Sequence, residues 1–152
     1  MELDSFDIAI LRALQEDASL TNAGLSAQVN LSASQCSRRR SALESAGVIL
    51  GYGARLNAPA LGFGLRAIVR VNLSAHSGPT DGAFATFLRD HDAVAAAWSV
   101  SGDADYVLDI HVADLAAFAA FIHEHLLPHE EVAQVRSEIV LKTAKEGGRL
   151  PL

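Results

Sequence analysis

The chain has 152 residues, 50% hydrophobic and 20% charged, with a formal net charge of −6. That composition suits a folded protein and excludes a disordered acidic chain. The single cysteine, Cys36, excludes an intrachain disulfide and fits a reducing cytoplasm. The opening "MELDSFDIAIL" carries acids where a signal peptide has a basic region, and the longest apolar run, "AVAAAW", is far too short for a membrane span. A soluble cytoplasmic protein without membrane contact is expected.

In chain order, residues 4–16 read as a helix. Asp4 or Ser5 caps it, Ile10, Leu11 and Leu14 form its apolar stripe, and Asp17 ends it. Thr21 caps a second short helix to Val29, with Leu25 and Val29 inward and Asn30 as its stop. Ser32 caps a third that runs to about Ala46, and Gly47 sits where a left-handed C-cap belongs. Three short helices with tight turns predict a helix-turn-helix unit. "VILGYGARL" reads as a small hairpin or wing strand, and "NAPALGFG" as a linker.

From Arg66 the pattern changes. "RAIVRVNL" is a strand. Pro79–Asp90 is a helix with Phe84, Phe87 and Leu88 on one side. "AVAAAWSV" and "YVLDIHV" are strands joined by "SGDAD". Asp114 caps a helix with Leu115, Phe118, Ile122 and Leu126 in register, ended by Pro128, and "VAQVRSEIVL" is the last strand. The order β-α-β-β-α-β is the ferredoxin-like arrangement. The expected class is α+β: a winged helix-turn-helix domain over residues 1–56, a linker over 57–65, and a ferredoxin-like domain over 66–152.

Charge is unevenly placed. Residues 1–56 carry five cations against six acids, and the other 96 carry seven against twelve. Three of the five adjoin in "CSRRRSAL", a locally basic spot on an acidic protein and so a candidate anion site. At about 100° per residue, Cys36, Leu43 and Gly47 mark the inward face of the third helix. Arg38 then points outward among Ser34, Ser41 and Ser45, a small-residue face that allows close approach to a groove. It is the candidate for gripping a base edge, with Ser32, Ser34, Gln35 and Ser37 near the helix start, where recognition helices make contacts. Arg39 lies on the flank, to hold a phosphate or brace the helix. Arg40 lies near the core and must snorkel outward, with Glu44 four residues on as its partner. From charge alone the cluster also reads as a solvated helix face; the capped three-helix context favours DNA.

"LDSFDIAILRALQEDASLT", "LSASQCSRRRSALESAGVI" and "YGARLNAPALG" resemble the helix-turn-helix half of the Lrp/AsnC (leucine-responsive, feast/famine) transcription regulators. "WSVSGDADYVLDIHVADLAAF" and "VLKTAKEGGRLPL" resemble that family's effector-binding half. The resemblance runs over essentially the whole chain. It implies a regulator of roughly palindromic double-stranded operators that forms dimers through the C-terminal sheet, and often octamers. It also implies a small effector, usually an amino acid, bound near "GDADY" at subunit interfaces. Ser32, Ser34, Cys36, Arg39, Leu43, Glu44 and Gly47 fall on matching positions. Arg40 stands where the family usually has an apolar residue, and Ser41 and Ala42 where it has basic ones.

The candidate effector residues are Ser101, Gly102, Asp103, Ala104, Asp105 and Tyr106. Gly102 permits an unusual backbone angle, and Asp103 and Asp105 can bind turn amides, which alone would make this an ordinary tight turn. The same carboxylates can accept hydrogen bonds from an amino acid's ammonium group while turn amides hold its carboxylate. His125 and His129 have the spacing of a metal pair, but Pro128 intervenes and no cysteine lies nearby, so a solvated helix end is expected. Cys36 reads as packing rather than redox sensing. No metal or cofactor is expected beyond the effector. The competing readings are an enzyme using Asp103 or Asp105 as general base with a histidine, and a small-molecule-binding module that does not bind DNA. The chain offers no activated nucleophile and no phosphate loop, and salt-dependent binding to duplex DNA separates the readings.

Overall fold

The computed structural model describes residues 2–74 and 82–152, which form two compact units: Met1–Arg55 with Lys145–Leu152, and Leu56–Ala144. In the helical unit, α1 spans Ser5–Glu16, α2 Asn22–Val29 and α3 Ala33–Ser45. Each begins where its sequence supplies a cap. The Asp4 carboxylate accepts from the Phe6 and Asp7 amides, the Thr21 hydroxyl from Gly24, and the Ser32 hydroxyl from Gln35, so otherwise orphaned amides of the first turns are satisfied. Asp7 and Gln35 return the bond to the cap residue's own amide, a capping box in both cases. Asn30 ends α2 in the left-handed region at φ 53°, and only Leu31 and Ser32 separate it from α3. Gly47 follows α3 at φ 69°, which lets Val48 and Ile49 donate back to the Leu43 carbonyl. Ile10, Leu11, Leu14, Leu25, Val29, Cys36 and Leu43 close one core. Cys36 and Leu43 have no exposed surface, as the helical wheel requires.

The wing does not form as a strand. Residues 48–56 run without a ladder, interrupted by Gly51 and Gly53 and with no complementary strand among the described residues of the unit. The linker contains one 3₁₀ turn, Pro59–Leu61, ended by Gly62 at φ 93°.

The second unit has β1 (Leu65–Leu73), α4 (Ala83–Asp90), β2 (Val94–Ser99), β3 (Tyr106–Val112), α5 (Leu115–Ala120) and β4 (Val132–Ile139). The strands pair antiparallel in the order β2-β3-β1-β4, the expected ferredoxin-like topology. Alternation places Ala67, Val69 and Val71 of β1 and Leu108, Ile110 and Val112 of β3 in a core with Phe84, Leu88, Phe118, Phe121 and Leu126. The α4 helix begins at Ala83, and the expected first residues 79–81 lie outside the described residues. The Phe84 amide, in the first turn of α4, donates to Glu131 at 2.8 Å. Asp114 caps α5 as expected, but the helix continues as one π-helical turn, Phe121–Leu126. Leu115 is 61% exposed, so it does not join the inward face. It is the first residue of the helix, before the stripe begins at Phe118. Residues 145–152, which follow the sheet unit in sequence, pack with the helical unit.

Candidate functional site

The three adjacent arginines have three different surroundings. Arg38 is exposed and, among the described residues, has no hydrogen bond or ion pair. Arg39 reaches α1: Nη1 lies 2.7 Å from Asp7 Oδ1, Nη2 lies 2.9 Å from Asp4 Oδ2, and the guanidinium stands 5.4 Å from the Phe6 ring centre. Hydrogen bonds with Asp7, then with Asp4, hold the Arg39 proton more tightly than usual. Its partner Asp4 is held below the usual carboxylate range, first by the Asp7 amide. Of its two sequence roles, Arg39 thus fills the bracing one: it fastens α3 to the start of α1. Arg40 does snorkel. Nε donates to the Tyr52 hydroxyl at 2.7 Å and to Glu44 Oε1 at 3.3 Å, Nη1 donates to the Leu20 carbonyl at 3.1 Å, and the guanidinium lies 4.4 Å from the Tyr52 ring centre. The Tyr52 hydroxyl donates to Glu44 at 2.8 Å, and burial, then this bond, raises its proton affinity.

Around Arg38 the helix surface is small and polar. Ser34 is exposed with its Oγ 3.0 Å from Ser32 Oγ, and Ser37 is half-buried. Gln35 is exposed, but its side-chain oxygen is taken by the Ser32 amide at 2.9 Å, leaving only its NH₂ group for another partner. The sequence showed the arginines but not that Asp4, Asp7 and Tyr52 are their partners. Only the pairing of Arg40 with Glu44 had a local signal, their four-residue spacing.

The "SGDADY" turn joins β2 to β3. Gly102 has φ 144°, a conformation that glycine supplies without strain. The six residues divide sharply. Ser101, Gly102, Asp103 and Asp105 are exposed, whereas Ala104 and Tyr106 are buried. The Tyr106 ring packs edge-on against Phe84 at 5.4 Å, and it also lines a cleft of about 440 Å³ between α4 and β2 with Leu88, Arg89 and Ser99. Asp105 Oδ2 accepts the Leu73 amide at 2.7 Å, so this carboxylate ties the turn to the end of β1. The Asp103 carbonyl accepts from Asn72 Nδ2 at 2.6 Å, while its carboxylate has no hydrogen-bond partner among the described residues. The turn therefore offers one free carboxylate, held in place by β1. The part played by Asn72 and Leu73 had no signal in the sequence.

Among the described residues, no group of three or more potential ligands is placed to hold a metal, and no helix is long and apolar enough to cross a membrane. His125 stacks edge-on against His91 at 4.9 Å, and His129 lies 5.1 Å from Phe84.

A capped three-helix reader with an outward arginine, joined to a ferredoxin-like sheet with an exposed turn, defines a DNA-binding regulator with a ligand-binding domain. The comparisons agree over both units. Residues 66–150 match the model of the Lrp/AsnC ligand binding domain, and residues 3–49 match that of a winged helix-turn-helix DNA-binding domain. The chain is 42% identical to the leucine-responsive regulatory protein of Rhizobium meliloti over 96% of its length and 94% of the relative's. It is 34% identical to the Escherichia coli K12 leucine-responsive regulatory protein, covering 98% and 91% of the two chains. Among solved structures, a Neisseria meningitidis transcriptional regulator in complex with L-Met superimposes with a TM-score of 0.94 at 37% identity, covering 99% of this chain and 97% of that one. The chain belongs to the Lrp/AsnC family of transcriptional regulators.

Proposed function

We propose that the chain reads a roughly palindromic operator with α3, as a homodimer that assembles further, in the cytoplasm, and that an amino acid bound at residues 101–106 controls that reading. The single observation that carries the DNA-reading part is the division of labour on α3. Arg39 and Arg40 are engaged within the unit, while Arg38, alone of the three, has no partner among the described residues and lies on a face of serines. A guanidinium in that position can grip a guanine edge bidentately, worth roughly 1–3 kcal/mol of discrimination. Ser32, Ser34, Gln35 and Ser37 then contact phosphates or neighbouring bases through hydroxyl and amide groups.

The free Asp103 carboxylate suits an ammonium group, and the L-Met complex of the Neisseria meningitidis relative supports the amino-acid class. Self-association is supported by the sheet face opposite the helices. It carries half-buried Ile68 and Val107, and cross-strand pairing puts Trp98, 51% exposed, beside Val107. The test is to select DNA from a random pool with the wild-type protein, then measure affinity for selected and random duplexes at fixed salt. Arg38→Ala is expected to lower the ratio about tenfold with the fold intact; an unchanged ratio refutes the assignment.

A further inference from the structure

Residues 145–152 follow the sheet unit in sequence yet pack in the helical unit, along one side of α1. Arg12, Gln15 and Glu16 are spaced so that they share a helical face. Arg12 Nε donates to the Leu152 carbonyl at 2.8 Å, and Nη2 reaches the same oxygen. The Leu150 amide donates to Gln15 Oε1 at 2.7 Å, and Gln15 Nε2 donates back to the Leu150 carbonyl at 3.4 Å. Arg149 pairs with Glu16 at 2.7 Å. Leu150 and Leu152 help line an apolar cavity of about 430 Å³ with Leu3, Leu11, Leu14 and Ile49. Gly147, at φ 56°, turns the chain where a Cβ would meet the Arg55 guanidinium at 3.4 Å. The opposite end of α1 carries Asp4 and Asp7, the carboxylates that hold Arg39 of α3.

We propose that residues 145–152 are a strap that couples the ligand-binding unit to the recognition helix, with Arg12 and Gln15 as its anchors; this rests on the function proposed above. The chain leaves β4 at Ile139 and reaches the strap within a few residues, so a shift at that end of the sheet has a short covalent route to α1. The α1 helix is a stiff element, and the Arg39 clamp passes its position to α3. A strap held by a few exposed hydrogen bonds detaches readily, which suits a switch. Coupling is reciprocal, so DNA binding at α3 must be felt at β4.

That reciprocity provides the test. Hydrogen exchange is followed with and without a random-sequence duplex of about 40 base pairs at low salt, where non-specific binding is strong. The proteins are wild type, Arg12→Ala/Gln15→Ala, and the conservative Arg12→Lys/Gln15→Glu. In wild type, the duplex is expected to protect α3 and also to change exchange over residues 132–144. In the alanine pair α3 stays protected, while the response at 132–144 falls about fivefold or more, and the Leu150 amide of the free protein exchanges roughly tenfold faster. The conservative pair, which keeps an acceptor for the Leu150 amide and a cation for the Leu152 carbonyl but lacks the weaker Gln15 Nε2 donor, recovers most of the wild-type response. Arg149→Ala, at an exposed pair, gives the same loss in smaller degree and serves if the alanine pair fails to fold. An equal response at 132–144 in wild type and the alanine pair, or none in any protein while α3 is protected, overturns the strap. Absence of protection at α3 in wild type overturns the DNA-reading function itself, and the strap with it.

Discussion

Asp103 and Asp105 are two residues apart, yet removing each should have a different effect. Asp105 Oδ2 accepts the Leu73 amide at 2.7 Å, and the Asp105 amide donates to the Val71 carbonyl at 3.0 Å, so this residue closes the turn onto β1. Asp105→Ala leaves the Leu73 amide without its charged acceptor. A hydrogen bond to an ionised group contributes roughly 1.5–3 kcal/mol, and the exposure of Asp105 places it at the low end, about 1.5 kcal/mol. In a cooperative unit of about 90 residues, that lowers Tm by roughly 6–12 °C. Asp103→Ala removes no hydrogen bond among the described residues and should leave Tm within about 2 °C. For the ligand the order reverses. Asp103 supplies the free carboxylate, so its alanine variant loses amino-acid binding with the fold intact, while Asp105→Asn keeps an acceptor for Leu73 and retains binding. The assay is thermal denaturation beside calorimetric titration with L-methionine and L-leucine. Equal Tm losses in the two alanine variants would refute the reasoning, as would undiminished ligand binding by Asp103→Ala.

Other outcomes follow from the same geometry. Arg39→Ala should lower the stability of the helical unit, because Asp7 is 4% exposed and loses its cation; hydrogen exchange in α1 and α3 checks this, with β1–β4 as the internal control. Leu43→Ala, which opens a void at a fully buried site, should cost about 2–5 kcal/mol by urea unfolding. His91 accepts the Ala93 amide at Nδ1, and burial, then the nearby His125, lowers its proton affinity below the ordinary 6.5 despite Asp92. The stability this adds is complete above about pH 6.5 and is lost as pH falls through the lowered folded value, so wild type should lose more stability than His91→Gln between pH 7.5 and 5. Light scattering at micromolar concentration should give at least a dimer, and a 16.1 kDa monomer would contradict the proposed assembly.

What the sequence made legible was mostly local. Asp4, Thr21 and Ser32 announce three helices because a cap acts within three residues, and the short apolar runs "RAIVRVNL" and "YVLDIHV" announce β1 and β3 because strand composition is a local property. Leu115 was misplaced because helical spacing says nothing of where the covering sheet begins. The strand at 48–56 was misassigned because apolar and aromatic residues there look like a strand, while pairing requires a neighbour that the described residues of the unit do not supply. The site was half legible. The wheel separated Arg38 from Arg40, but the Arg39 clamp spans 32 residues to Asp7 and the Asp105 tie spans 32 to Leu73, and no local pattern marks either.

The allocation of the arginines bears on how this acidic chain holds DNA at all. Of the five cations in residues 1–56, Arg39 and Arg40 are committed to the helical core and Arg12 to residue 152, while Arg55 sits against Gly147. One recognition helix is thus left with little beyond Arg38 to neutralise phosphates. Each phosphate contact contributes about −0.9 to the slope of log affinity against log salt, so a single copy would bind with a shallow slope and weakly. Strong binding then requires several copies on one DNA, whose contacts multiply through effective concentration. Under the assembly proposed above, a ligand that changes how copies are joined changes how many recognition helices engage at once. Its effect on affinity should therefore steepen with the number of half-sites in the DNA. Titrating duplexes of one, two and four half-sites with and without L-methionine reads this directly, and an effect of equal size on all three would place control within a single copy instead.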